Sequence, residues 1–85
     1  MNQIFADNLA VKCHADVAEH TLVELFLGIS TDNGFHTRVL LNETNAKELA
    51  LMLRRVLKER ERQLGRAIEL SPKQFERIGV APEDW

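Results

Sequence analysis

The hydrophobic periodicity of this chain changes from two to about 3.6 residues at Asn42, and this change constrains the fold more than any other feature. Residues 43–64 contain no proline and no glycine, so they can form one helix of about six turns. Asn42 and Asn45 are both suitable N-caps, and Glu43 would favour the helix dipole if the first one is used. The sequence therefore predicts strands before Asn42 and one long helix after it.

Before Asn42, apolar and polar residues alternate as they do in the strands of a half-buried sheet. Residues 22–30 and 35–41 predict a β-hairpin, because Asp32-Asn33-Gly34 between them tolerates the positive φ angles of a turn. A third antiparallel strand is expected over residues 9–17. The apolar positions of the three strands are Leu9, Val11, Cys13, Ala15, Val17, Val23, Leu25, Leu27, Ile29, Phe35, Val39 and Leu41, with Thr37 on the same side.

The segment around Asp16 also allows a helical interpretation. The Asp16 side chain could cap a helix over residues 16–26, with Glu19 completing a capping box before an apolar run. We favour the strand, because the run ends in a hairpin and is rich in β-branched residues.

A second, short helix is expected over residues 72–78. Ser71 is a suitable N-cap, Pro72 favours the first helical position, and Gly79 suits a left-handed C-cap. Residues 81–85 are interpreted as a tail.

These elements predict an α+β fold, in which a two- or three-stranded antiparallel β-meander is packed against one long α-helix, with a short C-terminal helix in addition. At 100° per residue, the apolar side chains of the long helix fall within an arc of about 160°. We expect this apolar arc to cover the sheet. It comprises Ala46, Leu49, Ala50, Met52, Leu53, Val56, Leu57 and Leu64.

A chain of 85 residues that is 45% hydrophobic is expected to be one small soluble domain over residues 1–85. A domain of this size buries only about 60% of the surface that its unfolded chain exposes, so its small core needs an additional source of stability. Cys13 is the only cysteine, which excludes a disulfide within the chain and fits the reducing cytoplasm. No apolar run is long enough to span a membrane, and no secretion signal is present. We therefore expect a cytoplasmic protein, without membrane contact, that is stabilised by self-association.

The second face of the predicted sheet supports the same expectation. One helix covers one face, so the other face has no cover from within the chain. That face carries three large apolar side chains where a solvated face should be polar. We expect Leu22, Phe26 and Leu40 to lie in a homodimer interface.

Charges are divided unevenly along the chain. Residues 1–45, the strand half, carry two basic against six acidic residues and sum to -4, whereas residues 46–85, the helical half, carry nine against seven and sum to +2. Basic side chains of the long helix group on the side away from the apolar arc, around one leucine. This cationic stripe comprises Lys47, Leu51, Arg54, Arg55, Lys58 and Arg62.

Residue types that occur in catalytic and metal sites are present, but their spacing does not match the motifs of such sites. Cys13 and His14 are adjacent and would point to opposite faces of a strand, so they cannot clip one metal ion. The residues around Cys13 are more acidic than basic, which does not favour a reactive thiolate. The remaining donors, Asp16, Glu19, His20 and His36, form no known ligand motif. We expect no enzyme activity, no cofactor and no metal.

The sequence thus predicts a small non-enzymatic protein-interaction module, a homodimeric adaptor or regulator of bacterial or phage type. Its cationic stripe would contact another protein, and opposite charges would steer that encounter. The alternative is a regulator that contacts nucleic acid through the same stripe. The acidic balance of the whole chain and the lack of aromatic residues among the basic ones favour the protein partner.

Overall fold

The computed structural model describes residues 3–15 and 21–79. These form an α+β arrangement of a three-stranded antiparallel sheet, one long helix and one short helix, as the sequence predicts. In chain order the elements are β1 (Asn8–Ala15), β2 (Thr21–Gly28), a 3-10 turn (Ser30–Asp32), β3 (Thr37–Asn42), α1 (Glu43–Leu64) and α2 (Pro72–Ile78).

The sheet is a meander in the order β1-β2-β3, with both neighbouring pairs antiparallel. Leu25 at the centre of β2 pairs with Val11 on one side and with Val39 on the other. Because strand side chains alternate between faces, this register divides the sheet into two chemically different surfaces. The odd face carries Leu9, Val11, Cys13, Val23, Leu25, Leu27, Thr37, Val39 and Leu41, and the even face carries Ala10, Lys12, His14, Leu22, Glu24, Phe26, Arg38 and Leu40.

The described strand ends differ from the prediction by one or two residues, and the two-residue differences lie at the end of β2 and at the start of β3. β2 ends at Gly28 rather than at residue 30, because a 3-10 turn begins at Ser30. β3 begins at Thr37 rather than at residue 35, so Phe35 does not continue the alternation of Thr37 and Val39. Its ring packs instead against Phe26 of the even face, with ring centroids 5.3 Å apart. β1 is described over Asn8–Ala15, and residues 16–17 of the predicted strand and the alternative helix start at Asp16 lie outside the described residues.

The connection between β2 and β3 is held by side chains from the start of β1. Asp7 accepts hydrogen bonds from the Ser30 amide and hydroxyl, both at 2.7 Å. Asn33 adopts the left-handed φ of 53° that closes the 3-10 turn, as the predicted turn tripeptide allows. Gly28 lies so close to Gly34 that a Cβ on Gly28 would stand 2.2 Å from the Gly34 carbonyl oxygen. The connection is therefore a specific structure rather than a simple two-residue turn.

α1 follows β3 without an intervening residue, and Asn42 caps it. The Asn42 side-chain oxygen accepts hydrogen bonds from the Asn45 amide at 2.8 Å and from the Thr44 hydroxyl at 2.9 Å. Glu43 lies in the first turn, where its negative charge favours the helix dipole. Of the two caps that the sequence allows, the structure uses the first.

α2 has both predicted caps. Ser71 and Gln74 form a reciprocal capping box, with Pro72 at the start of the helix. Gly79 ends the helix with a left-handed φ of 65°. The predicted tail, 81–85, lies outside the described residues.

Contacts divide the chain into two compact units, Met1–Met52 and Leu53–Trp85. The single domain over residues 1–85 stays a prediction. Among the side chains described in residues 3–14 and 21–79, no hydrophobic one is buried. None of the helices in that part of the chain combines the length and apolarity needed to cross a membrane.

Candidate interaction surfaces

Glu24 lies at the centre of the even face and is the one buried side chain among those described in residues 3–14 and 21–79. One carboxylate oxygen, Oε1, lies 2.9 Å from His14 Nε2 on β1, and the other, Oε2, lies 3.1 Å from Arg38 Nε on β3. Both oxygens of the buried carboxylate thus have a polar partner, as the burial of a charged group requires. The three residues connect the three strands through one ionic cluster.

The sheet register explains why these residues meet. Glu24 pairs directly with Lys12 on β1 and with Leu40 on β3, so His14 and Arg38 are its diagonal neighbours on the same face. Lys12 extends towards Phe26, and its Nζ lies 5.6 Å from the ring centroid. Lys12, His14 and Arg38 therefore surround one carboxylate, which leaves this part of the even face with excess positive charge.

The structure brings together the three residues predicted to form a dimer interface, because Leu22, Phe26 and Leu40 share the even face. Leu22 and Leu40 are exposed, whereas Phe26 is half-buried between Phe35 and Lys12. The Glu24 cluster lies among these three residues. The even face is therefore a mixed surface of aliphatic and charged groups, and its role in dimerisation stays a prediction.

In contrast, the odd face carries no charged side chain over β1, β2 and β3. Leu9, Val11 and Cys13 on the outer strand β1 are exposed. Leu25 on the central strand β2 and Val39 on the other edge strand, β3, are half-buried. An uncharged face of this extent is typical of a surface that another element covers.

The apolar arc of α1 is also accessible. Met52, Leu53, Val56, Leu57 and Leu64 are exposed in the single chain. Nearer the N-terminus of the helix, Ala46 and Leu49 are half-buried. The single chain thus leaves part of an apolar sheet face and most of an apolar helix arc exposed.

All six residues of the cationic stripe lie on α1 and are exposed. Arg62 is paired with Glu59, and its Nε lies 2.9 Å from Glu59 Oε2. This hydrogen bond lowers the pKa of Glu59 below its ordinary value and raises the pKa of Arg62. Arg54 and Lys58 make further polar or electrostatic contacts. Part of the positive charge of the stripe is therefore compensated within the chain.

The structure keeps apart the residues that a catalytic or metal site would need to bring together. Cys13 lies on the odd face with an exposed free thiol, while His14 points to the even face and pairs with Glu24. His36 pairs with Asp32 in the connection between β2 and β3, at 3.1 Å. Within the described ranges, no three His, Cys, Asp or Glu side chains group as metal ligands. Asp16, Glu19 and His20 lie outside those ranges.

Sequence reasoning did not single out the Glu24 cluster. A signal was available, because Glu24 is a charged residue in the middle of the hairpin strand with the longest apolar pattern. Its partners become visible only with the register, which places Lys12 opposite it and His14 and Arg38 beside it.

No protein-family model, curated protein or solved structure matches this chain.

Proposed function

We propose that this chain is a small non-enzymatic protein-interaction module that acts as a homodimeric adaptor or regulator of bacterial or phage type. The observation that carries this proposal is that no hydrophobic side chain is buried among those described in residues 3–14 and 21–79. Apolar burial is the main favourable contribution to folding, so a chain that leaves its apolar surfaces exposed gains stability when it associates. Binding is therefore the activity that this surface chemistry supports best.

Self-association is the first step of the proposal. Among the side chains described in residues 3–14 and 21–79, sixteen large hydrophobic ones are exposed, and they lie on strands, on both helices and in the segments outside them. Monomeric proteins rarely expose contiguous apolar patches larger than a few hundred Å². A second copy is available wherever the protein is made, which makes a homodimer the simplest form of cover.

The cationic stripe supports the second step, contact with another protein. Leu51 is exposed among Lys47, Arg54, Arg55 and Lys58, so the stripe offers an apolar centre within a basic rim. This composition resembles the apolar core and polar rim of protein interfaces. The partner surface that fits it is acidic with an apolar depression, because opposite charges speed the encounter.

Nucleic acid is the alternative partner of the same stripe. The Arg62 pair with Glu59 and the net charge of -2 make phosphate binding the weaker candidate. We place the protein in the cytoplasm, where the exposed thiol of Cys13 would stay reduced.

Light scattering of the purified chain tests the dimer. The proposal predicts a mass of twice 9.7 kDa over the micromolar range, and a mass of 9.7 kDa there would refute the homodimer.

Affinity capture from the native cell tests the partner surface, with the wild type compared with the double variant Lys47→Glu, Arg55→Glu. Both positions are exposed on α1, so the variant changes the charge of the stripe without removing a buried group. We expect the wild type to retain a protein that the double variant loses. Lys73→Glu on α2 is the matched control and should retain it.

A salt titration with random duplex and single-stranded DNA separates the two partner classes. We expect no binding at low salt. Measurable binding that weakens steeply with salt would instead support the nucleic-acid alternative, because released counterions produce that dependence.

A further inference from the structure

We propose that the odd face of the sheet in one copy is covered by the apolar arc of α1 from a second copy, so that two chains exchange their helices in a reciprocal dimer. The inference rests on the proposed homodimer and names the two surfaces that form it. In a closed dimer of this kind, each helix-on-sheet contact is made twice.

The two surfaces match in chemistry. The odd face has no charged side chain and presents Leu9, Val11 and Cys13 exposed at its outer strand. The arc presents Leu53 and Val56, which are also exposed. A sheet with one apolar face and a helix with one apolar arc are stable when one packs on the other, as in the layers of an α+β fold.

The net charges of the two halves of the chain favour this pairing over the other ways in which two copies could associate. The strand half of each chain sums to -4 and the helical half to +2. Two strand halves next to each other would bring like net charges together, and so would two helical halves. A helical half next to the strand half of the other copy brings opposite net charges near each other on both sides of the dimer, and such complementarity favours one binding mode over its competitors.

The connection between β3 and α1 favours the helix of a second copy over that of the same chain. β3 ends at Asn42 and α1 begins at Glu43, whereas the connections between strands and helices that pack on each other usually have about two to six residues.

Desolvation favours the odd face over the even face as the contact between copies. A dimer through the even face would remove Lys12, His14 and Arg38 from water around the single carboxylate of Glu24. Such a loss of hydration costs several kcal/mol for each uncompensated ion. The odd face has no such group. A reciprocal contact doubles the buried area. It therefore helps a small chain to reach the roughly 2,000 Å² of surface that obligate dimers bury at their interfaces.

The native thiol makes a direct test possible. Cys13 lies on the odd face and is the only cysteine of the chain, so a second cysteine on the arc can be linked to it with a short bis-maleimide. In the variant Val56→Cys, the exchanged dimer yields a covalently linked dimer on a denaturing gel. A chain that covers its own sheet yields a linked monomer instead, and that result would overturn the inference.

Leu51→Cys is the matched control for Val56→Cys. The two side chains are 56% and 57% exposed, and they lie on different sides of α1, Leu51 in the cationic stripe and Val56 in the apolar arc. We expect efficient linkage from position 56 and little from position 51. Equal linkage from both positions would overturn the inference.

An experiment with mixed copies distinguishes the helix exchange from a third arrangement, in which the odd faces of two copies contact each other. When the wild type is mixed with a tagged Cys13→Ser, Val56→Cys chain, linkage should join unlike copies only. A wild-type pair linked through Cys13 of both copies would indicate two odd faces in contact, and this would overturn the helix exchange while leaving the proposed homodimer intact.

Labelling of the native chain with a maleimide needs no substitution and so covers the case in which a variant fails to fold. Cys13 should react several-fold more slowly at concentrations where light scattering reports the dimer than at concentrations where it reports the monomer. A dimer whose Cys13 reacts at the monomer rate would overturn the inference alone. A protein that stays monomeric would overturn both the inference and the proposed function.

Discussion

Glu24 and Arg38 form a cross-strand ion pair in which Glu24 Oε2 lies 3.1 Å from Arg38 Nε, with the carboxylate buried and the guanidinium exposed. The second oxygen of the same carboxylate lies 2.9 Å from His14. Glu24 thus accepts contacts from both neighbouring strands, although the partner side chains themselves remain in contact with water. Because the carboxylate is buried while its partners are solvated, we expect its loss to lower the free energy of unfolding only modestly.

Glu24→Gln should lower the free energy of unfolding by about 1–2 kcal/mol, because an amide keeps the volume but replaces one acceptor oxygen with a donor NH₂ group facing a basic partner. The estimate is modest because His14 and Arg38 are solvated. Urea unfolding at one fixed protein concentration measures the change. Glu48→Gln, at an exposed position of α1, is the control and should change it by much less. Equal effects of the two substitutions would contradict a stabilising role of the cluster.

Gly28→Ala should destabilise the protein by about 1–3 kcal/mol, the usual cost of forcing atoms into occupied space. The added Cβ would stand 2.2 Å from the Gly34 carbonyl oxygen, so the β2–β3 connection must shift. Gly34→Ala is the matched control, since a Cβ there would meet nothing within 4 Å. Thermal unfolding of the two variants should separate them clearly, and a stable Gly28→Ala variant would show that the connection yields easily.

Asn42→Ala should lower helix stability by about 1 kcal/mol, the usual cost of removing an N-cap. Asn42→Asp should restore most of that loss, because its carboxylate can accept the same hydrogen bond from the Asn45 amide. Asn45→Ala should be close to neutral, because Asn45 takes part in this cap through its backbone amide rather than its side chain. Amide hydrogen exchange in the first turn of α1 provides the measurement, and a larger effect at Asn45 than at Asn42 would contradict this cap.

The pair of Glu59 with Arg62 should make α1 sensitive to acid. Its hydrogen bond depresses the pKa of Glu59 in the folded chain, so the stabilisation is complete above the pKa of the unfolded state. This stabilisation is lost as the pH falls through the lower pKa that Glu59 has in the folded chain. A carboxyl NMR titration should show the Glu59 midpoint rising in Arg62→Gln and staying unchanged in Lys73→Gln. An unchanged midpoint in Arg62→Gln would mean that the pair does not form in solution.

Helical segments were closely predictable because their signals are local, although the sequence left both Asn42 and Asn45 open as the cap of α1. α1 begins and ends at the predicted residues, since Asn42 can cap it, no helix breaker interrupts it, and Gly65 adopts the left-handed φ of 68° just beyond it. The short helix Pro72–Ile78 follows in the same way from Ser71 and Gly79. In each case, residues within a few positions of the helix end determine that end.

Strand ends were less predictable, because pairing with another strand decides where a strand stops. Phe35 continues the alternating pattern in the sequence, yet it lies before β3 and packs on Phe26. Its position depends on the 3-10 turn and on the hydrogen bonds of Asp7 with Ser30, which join residues far apart in the chain.

Local signals in the sequence therefore specify the types and order of the elements, the approximate extent of both helices, and the uneven division of charge between the strand half and the helical half. These properties follow from periodicity, capping and composition, which neighbouring residues carry. Which residues meet across strands follows instead from the folded sheet, because register depends on pairing between distant segments. That register placed Glu24 between His14 and Arg38, gathered the charged groups of the sheet on its even face, and left the odd face uncharged.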